Sequence, residues 1–282
     1  ADVRFDGINM AIDTANGSAS VCAKEIFTRL GAKCHMLSDT PNGVNINLNC
    51  GSTHMQELCS FVKANKLDLG VAFDGDADRM LAVDGNGEIV DGDKIIAICA
   101  TQMKQENKLA KNTAVVTVMS NMGFFKFCDE NSIHCAKTAV GDRYVLERML
   151  KDGYNIGGEQ SGHVIFLDYA TTGDGELSAV KLIEAVVKSG APLEQLSKVM
   201  TVYPQVLINV PVTPEGKKKY NNDEYIISAV QEAEMELHGD GRVLVRVSGT
   251  EPLVRVMLEG KDTEQITRLG NYIADVVKER LS

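Results

Sequence analysis

Three aspartates at alternate positions, in Asp74-Gly75-Asp76-Ala77-Asp78-Arg79, are the part of this 282-residue sequence best equipped for chemistry. Carboxylates at i, i+2 and i+4 share one face of an extended segment, and a turn makes them converge. Crowded negative charges repel unless a cation sits among them. An all-oxygen donor set selects a hard ion, Mg²⁺ or Ca²⁺, and Mg²⁺ typically keeps positions open for a phosphate oxygen. An EF-hand is excluded, because its sixth position is Arg79 instead of Gly and its twelfth is Gly85 instead of Glu. The competing reading is a solvated acidic hairpin turn. Arg79 directly follows the aspartates, where it can meet a metal-bound phosphate or form an ordinary surface salt bridge.

Two further loops carry reactive or ligand-binding groups. In Gly157-Gly158-Glu159-Gln160-Ser161-Gly162-His163 the glycines permit sharp backbone turns, and Glu159, Ser161 and His163 offer an acceptor, a hydroxyl and an imidazole. A carboxylate that accepts from two neighbouring hydroxyls suits a sugar; a glycine-rich turn whose polar groups only cap backbone accounts for the same residues. In Arg246-Val247-Ser248-Gly249-Thr250-Glu251-Pro252, Ser248, Gly249 and Thr250 place hydroxyls and backbone N–H groups in a tight turn, a small nest for an anion. Arg246 and Arg255 add guanidinium forks that match phosphate. The alternative is a plain β-hairpin with its arginines in water. Arg242 and Lys261 read as ordinary surface charges.

These loops need elements to hold them. Strand and helix patterns alternate from residue 8 to residue 188: strands at 8–12, 34–37, 67–73, 80–83, 114–118, 133–136, 154–156 and 164–167, and helices ending near 30, 66, 105, 129, 150 and 188. Ser18 is the expected cap of the first helix and Gly31 its stop. Prolines concentrate at 192–214. Beyond them the order is strand 205–212, helix 222–237, strands 242–247 and 253–259, and helix 263–281, the last opening with Asp262 and Gln265 at capping-box spacing. The expected fold is α/β: two consecutive three-layer α/β domains, 1–90 and 91–203, followed by a smaller α+β domain, 204–282. Hydrophobic residues make up 44% of the chain, enough for real cores. No apolar run approaches the ~20 residues of a membrane helix. The net charge of −10 disfavours nucleic acid as a partner. Seven cysteines without a CxxC pair suggest reduced thiols in a cytoplasmic protein.

Together and in this order, the three loops resemble those of the α-D-phosphohexomutase superfamily: an Asp-Gly-Asp-x-Asp-Arg metal loop, a Gly-Glu-x-Ser-Gly-His sugar loop, and an Arg-x-Ser-Gly/Asn-Thr phosphate loop. A haloacid-dehalogenase-type phosphatase also places Asp-x-Asp after an apolar strand, but carries Thr or Val where Asp78 stands. Residues 45–54 (Asn-Ile-Asn-Leu-Asn-Cys-Gly-Ser-Thr-His), with 157–163 and 141–145, are most similar to the phosphoglucosamine mutase branch. The resemblance implies an isomerase that moves a phosphoryl group from an enzyme phosphoserine to a hexosamine phosphate and back through a bisphosphate intermediate. It implies that Asp74, Asp76 and Asp78 hold Mg²⁺, with Arg79 beside it, and that Glu159 and Ser161 grip sugar hydroxyls. It further implies that His163, Arg246, Ser248, Gly249 and Thr250 hold the distal phosphate with Arg255 nearby, so that Arg79 and His163 are the candidate catalytic groups. Asp142 and Arg143 are weaker candidates, a helix cap being the alternative for Asp142. The family's Thr-Ala-Ser-His-Asn-Pro-like serine loop has no counterpart here. The expected partners are therefore the sugar phosphates and an N-terminal domain of the same protein, without which this chain is inactive.

Overall fold

A computed structural model describes residues 3–249 and 251–282. Two compact units emerge, one of Ala1–Ser120 with Phe124–Thr201 and one of Asn121–Gly123 with Val202–Ser282.

The first unit holds two sheets of one design. β1 (Asn9–Asp13), α1 (Ala23–Leu30), β2 (Lys33–Leu37), α2 (Gln56–Asn65), β3 (Leu69–Phe73), β4 (Met80–Asp84) and β5 (Ile89–Val90) give the sheet order β2-β1-β3-β4-β5. After them come α3 (Gly92–Gln105), β6 (Thr113–Thr117), α4 (Met122–Glu130), β7 (His134–Thr138), α5 (Asp142–Asp152), β8 (Ile156–Gly158), β9 (Val164–Phe166), α6 (Gly175–Ser189) and α7 (Leu193–Leu196), with the sheet order β7-β6-β8-β9. In each sheet three strands run parallel and the chain then reverses, at β3–β4 and at β8–β9. A reversal needs only a short hairpin, whereas parallel pairs need long crossovers. Those two hairpins are the acidic loop and the glycine-rich loop.

Alternation along the strands makes three layers of each sheet. Ala11 and Ala72 pack with Leu58 and Val62 of α2, while Ile12, Val71 and Phe73 face the core that contains Phe27 of α1. In the second sheet Val115 meets Val145 and Met149 of α5, and Ala114 and Val116 share the larger core with Phe124 and Phe127 of α4. Each Val, Leu, Ile, Met or Phe among them contributes about 1.5–3 kcal/mol when fully buried. The larger core serves both sheets, because α6 packs against β3 and β4 as well as β9, and α3 packs against α6 and β8.

The second unit contains β10 (Gln205–Pro211), α8 (Pro214–Lys219), α9 (Glu224–Glu236), β11 (Gly241–Val247), β12 (Leu253–Gly260) and α10 (Thr263–Leu281). Its antiparallel sheet, β10-β12-β11, buries Val210, Val254, Val256 and Leu258 against α9 and α10, the α+β arrangement. Among the described residues no helix is long and apolar enough to cross a membrane.

Several local expectations are corrected. Ser18 does not cap a helix: it opens a 3₁₀ turn, Ser18–Ser20, and α1 begins only at Ala23 without a side-chain cap. The helix expected at 222–237 is preceded by a separate one, α8, whose start was written in the sequence as Thr213-Pro214: Thr213 Oγ1 accepts from Gly216 N, with Pro at the first turn. Half the capping box of α10 forms. Asp262 Oδ1 accepts from Glu264 N and Gln265 N, but the Gln265 amide donates to Glu236 on α9.

Candidate metal and phosphate sites

β3 and β4 pair as far as Phe73 and Met80, so residues 74–79 are the whole hairpin loop. Ala77 takes a left-handed conformation, φ 59°. One oxygen from each of Asp74, Asp76 and Asp78 lies within 4.8 Å of the others. Asp74 is buried, Asp76 exposed and Asp78 between them. Asp74 accepts from Arg79 at both oxygens, from the backbone N at 3.1 Å and from Nη1 at 2.9 Å. Burial pushes the Asp74 carboxyl above the usual range; the Arg79 N–H opposes this, the charges of Asp78 and Asp76 add to it, and the Arg79 guanidinium again opposes. Asp78 Oδ1 is buried without a hydrogen-bond partner. Three hard oxygen donors, one of them orphaned inside, fit a divalent cation.

The loop is fastened on several sides. Gly75 O accepts from Ser18 N, Ala77 O from Gly175 N at the start of α6, and Gly162 O from Met80 N at 3.1 Å. The last bond joins the acidic loop to the glycine-rich one. Gly162 has φ 96°, and a Cβ there would lie 2.4 Å from Met80 O, so both conformation and space demand glycine. Residues 45–54 press on the same loop: a Cβ on Gly75 would meet Asn47 and Ile46 at 2.7 Å, and Ser52 N donates to Phe73 O. Buried Asp13 holds this segment by accepting from Ala15 N and Gly51 N.

In the second hairpin Glu159 Oε1 accepts from Gly141 N at 3.0 Å, Ser161 is exposed, and Gln160 reaches Asp91, the cap of α3. His163 is 2% exposed. Its Nε2 lies 3.7 Å from Asp78 Oδ2 and 4.0 Å from Asp142 Oδ2, beyond hydrogen-bond length yet close enough for charge to matter, and Nδ1 is buried without a partner. Thus the structure brings His163 to the acidic loop, together with Asp142. Asp142 makes no cap, since Gly141 occupies that position, and Arg143 points to Glu147 at the surface. Gly173 escaped sequence reasoning: a Cβ there would stand 2.4 Å from His163 Nε2. Nothing local in the sequence marks it.

The third loop joins β11 and β12. Arg246 and Arg255 are directly paired across the strands, and each has a buried Nε without a partner. Burial first, and then the Arg255 charge, lowers the Arg246 pKa. Arg255 Nη2 donates to Glu251 at 2.7 Å. Ser248 N donates to Leu253 O and Ser248 Oγ accepts from Glu251 N, closing the turn, while Gly249 is exposed with open space beside it. Thr250 lies outside the described residues. Two like charges side by side with orphaned donors fit an anion. Arg242 is no surface charge: its Nε donates at 2.6 Å to Glu259, which is fully buried. Lys261 does pair at the surface, with Asp240.

A cavity of about 440 Å³ beside α3 and α6 contains none of these residues. Around it Lys188 bonds Glu106 and Glu184, and Lys181 bonds Glu184 and Tyr169, so these charges are answered internally.

Comparisons with known proteins place the chain among relatives. Residues 2–87 match the model described as phosphoglucomutase/phosphomannomutase, alpha/beta/alpha domain II; residues 91–203 match domain III; residues 207–276 match the C-terminal domain. The chain is 56% identical over 278 residues to phosphoglucosamine mutase of Brevibacillus brevis, covering 99% of this chain, and 51% identical over 281 residues to that of Bacillus subtilis, covering 100%. It spans 62% of the length of either relative. Among solved structures, N-acetylphosphoglucosamine mutase of Aspergillus fumigatus, in complex with GlcNAc-6P and magnesium, superposes with a TM-score of 0.79 at 18% identity, over 98% of this chain and 62% of that one. A phosphoglucomutase/phosphomannomutase family protein of Burkholderia thailandensis gives 0.77 at 19% identity, over 97% and 60%. At such identities the likeness is one of fold.

Proposed function

The chain belongs to the phosphoglucomutase/phosphomannomutase family, and from that premise we propose that it is the metal-, sugar- and phosphate-binding portion of a phosphoglucosamine mutase. The complete protein interconverts glucosamine 6-phosphate and glucosamine 1-phosphate. A phosphoserine elsewhere in that protein gives its phosphoryl group to the substrate hydroxyl; the serine oxygen leaves, and a bisphosphate forms. The intermediate turns round, and the phosphate present at the start returns to serine. Phosphoryl transfer depends mainly on positioning and charge neutralisation.

Each residue then has a task. Asp74, Asp76 and Asp78 hold Mg²⁺, which when bound neutralises charge on the phosphoryl group in transit. Arg79 orients Asp74 through its two bonds to that carboxylate. His163, beside Asp78, sets an imidazole next to the acidic loop. Glu159 has one oxygen engaged by Gly141 and one for a sugar hydroxyl, with Ser161 beside it. Arg246, Arg255, Ser248, Gly249 and Thr250 take the phosphate that is not reacting. A cytoplasmic location belongs to the same proposal and agrees with seven free cysteines.

The observation that carries the reading is the fastening of the sugar loop to the acidic loop through Met80 N and Gly162 O, with His163 against Asp78. It sets the glycine-rich loop, which this reading assigns to sugar hydroxyls, against the acidic loop, which it assigns to the metal. The glucosamine branch is favoured by the names of the relatives at 51–56% identity. The test is to assay the complete protein on glucosamine, glucose and mannose phosphates. A clear preference for glucosamine is expected, and a preference for glucose or mannose overturns the branch assignment. The 282 residues alone are expected to bind ligand without turnover.

A further inference from the structure

Residues 141–145 carry part of the resemblance to the glucosamine branch, yet none of their side chains has a task in the reading above. The structure sets this segment on the glycine-rich loop. Gly141 N donates to Glu159 Oε1 at 3.0 Å. Gly141 has φ 129°, a conformation that glycine adopts without strain, where the chain turns from β7 into α5. Both loops follow the carboxyl ends of parallel strands, β7 and β8, the edge at which open α/β sheets take their ligands. Asp142 is the first residue of α5. Its side chain is 64% exposed, and among the described residues its charge faces one other ionisable group, the His163 ring, whose Nε2 lies 4.0 Å from Asp142 Oδ2. His163 is itself buried, with Nδ1 lacking a partner. Glu159, Asp142 and His163 therefore converge at one edge of the second sheet.

An acidic residue at the start of a helix offsets the helix dipole, but that role needs no particular neighbour and leaves the convergence on Glu159 and His163 without a purpose. Arg143, the adjacent base, turns away to Glu147 and does not neutralise Asp142. Glucosamine phosphate differs from glucose and mannose phosphates at C2, where an amine, charged at neutral pH, replaces a hydroxyl. We propose that Asp142 recognises this ammonium and thereby sets a preference for amino sugars. The inference rests on the sugar-binding role proposed for Glu159. That carboxylate keeps one oxygen for a ring hydroxyl, while the bond to Gly141 N ties its other oxygen to the residue next to Asp142. A carboxylate also accepts from a hydroxyl, but toward an ammonium the bond is charge-assisted and roughly twice as strong. A neutral sugar leaves the Asp142 charge without a counter-charge. Selection is then a difference of two affinities at one position of the ring.

Titration calorimetry of the 282-residue chain with glucosamine 6-phosphate and with glucose 6-phosphate tests the assignment in wild type, D142N and D142E. Wild type is expected to prefer the amino sugar by about tenfold or more, and D142N to shrink that preference below about threefold, with most of the loss on glucosamine 6-phosphate. D142E keeps the charge one methylene further out and is expected to retain part of the preference. If Asp142 only supports the helix, D142N weakens both sugars alike, and that result overturns the proposal. A preference that survives D142N undiminished overturns it as well. In those two cases the wild-type preference for the amino sugar stands, and with it the glucosamine branch. A wild type that binds the two sugars equally removes the branch assignment and the proposal together.

Discussion

At the scale of single residues the candidate sites rest on polar atoms left without partners. Asp78 Oδ1, His163 Nδ1, Arg246 Nε and Arg255 Nε are all buried without a hydrogen-bond partner, Asp78 Oδ1 having only the Arg79 guanidinium at 3.8 Å. Such atoms cost about 1–3 kcal/mol each when nothing bonds them, which an ion or phosphate can relieve. Asp78→Asn keeps the shape and removes the charge, so titration calorimetry should find Mg²⁺ affinity reduced at least tenfold. Arg246→Met removes one fork of the guanidinium pair, and affinity for glucose 1,6-bisphosphate should fall roughly 10–100-fold, about 1.4–2.8 kcal/mol. An unchanged affinity in either titration removes that residue from the site. The convergence of the three aspartates and the pairing of Arg246 with Arg255 were legible in sequence because these residues stand close together along the chain. Arg242 was misread as a surface charge, since its partner Glu259 is 17 residues away and nothing between them announces the pairing.

At the scale of elements, all three chemical loops are hairpin connections between antiparallel strands. Gly162 joins two of them, with a positive φ and Met80 O where a Cβ would go. Gly162→Ala should lower stability by about 1–3 kcal/mol and so reduce the melting temperature, and should also weaken Mg²⁺ binding by displacing β4. At α10, Asp262→Ala should cost about 1 kcal/mol, while Gln265→Ala should cost little of the capping energy, because the Gln265 amide serves Glu236 instead of turning back. Denaturant melts of the two variants separate these roles. Helix and strand periodicity revealed most elements, because core-facing residues recur at fixed spacing. It missed two-residue β5, too short to show a period, and misplaced the start of α1, because Ser18 belongs to a 3₁₀ turn.

At the scale of the whole molecule, one core unites the two sheets of the first unit, with α3 and α6 as the shared layer. Across their ends Glu106 accepts from Gln102, Lys108 and Lys188. The hydrogen bonds from Lys108, Lys188 and Gln102 lower the Glu106 pKa from 4.5 to about 2. A lowered carboxyl pKa stabilises the folded state above the unfolded value, and that contribution disappears as pH falls through the folded one. Glu106→Gln should therefore lower stability by about 0.5–1 kcal/mol at neutral pH, the scale of a partly solvated network. The difference from wild type should shrink as pH drops below 4.5, the ordinary value; a gap that is constant with pH would show that the charge is immaterial. The sequence by itself determined which polar groups each loop carries, the strand and helix alternation and the layered fold class, because each is written in residues adjacent or periodically spaced along the chain. The tertiary structure alone decided that His163 lies against Asp78, that residues 45–54 press on Gly75, that Arg242 and Asn121 converge on Glu259, and that α6 closes over the first sheet. Those pairings join segments distant along the chain. Their free energy comes from mutual burial and hydrogen bonding that exist only once both segments have folded.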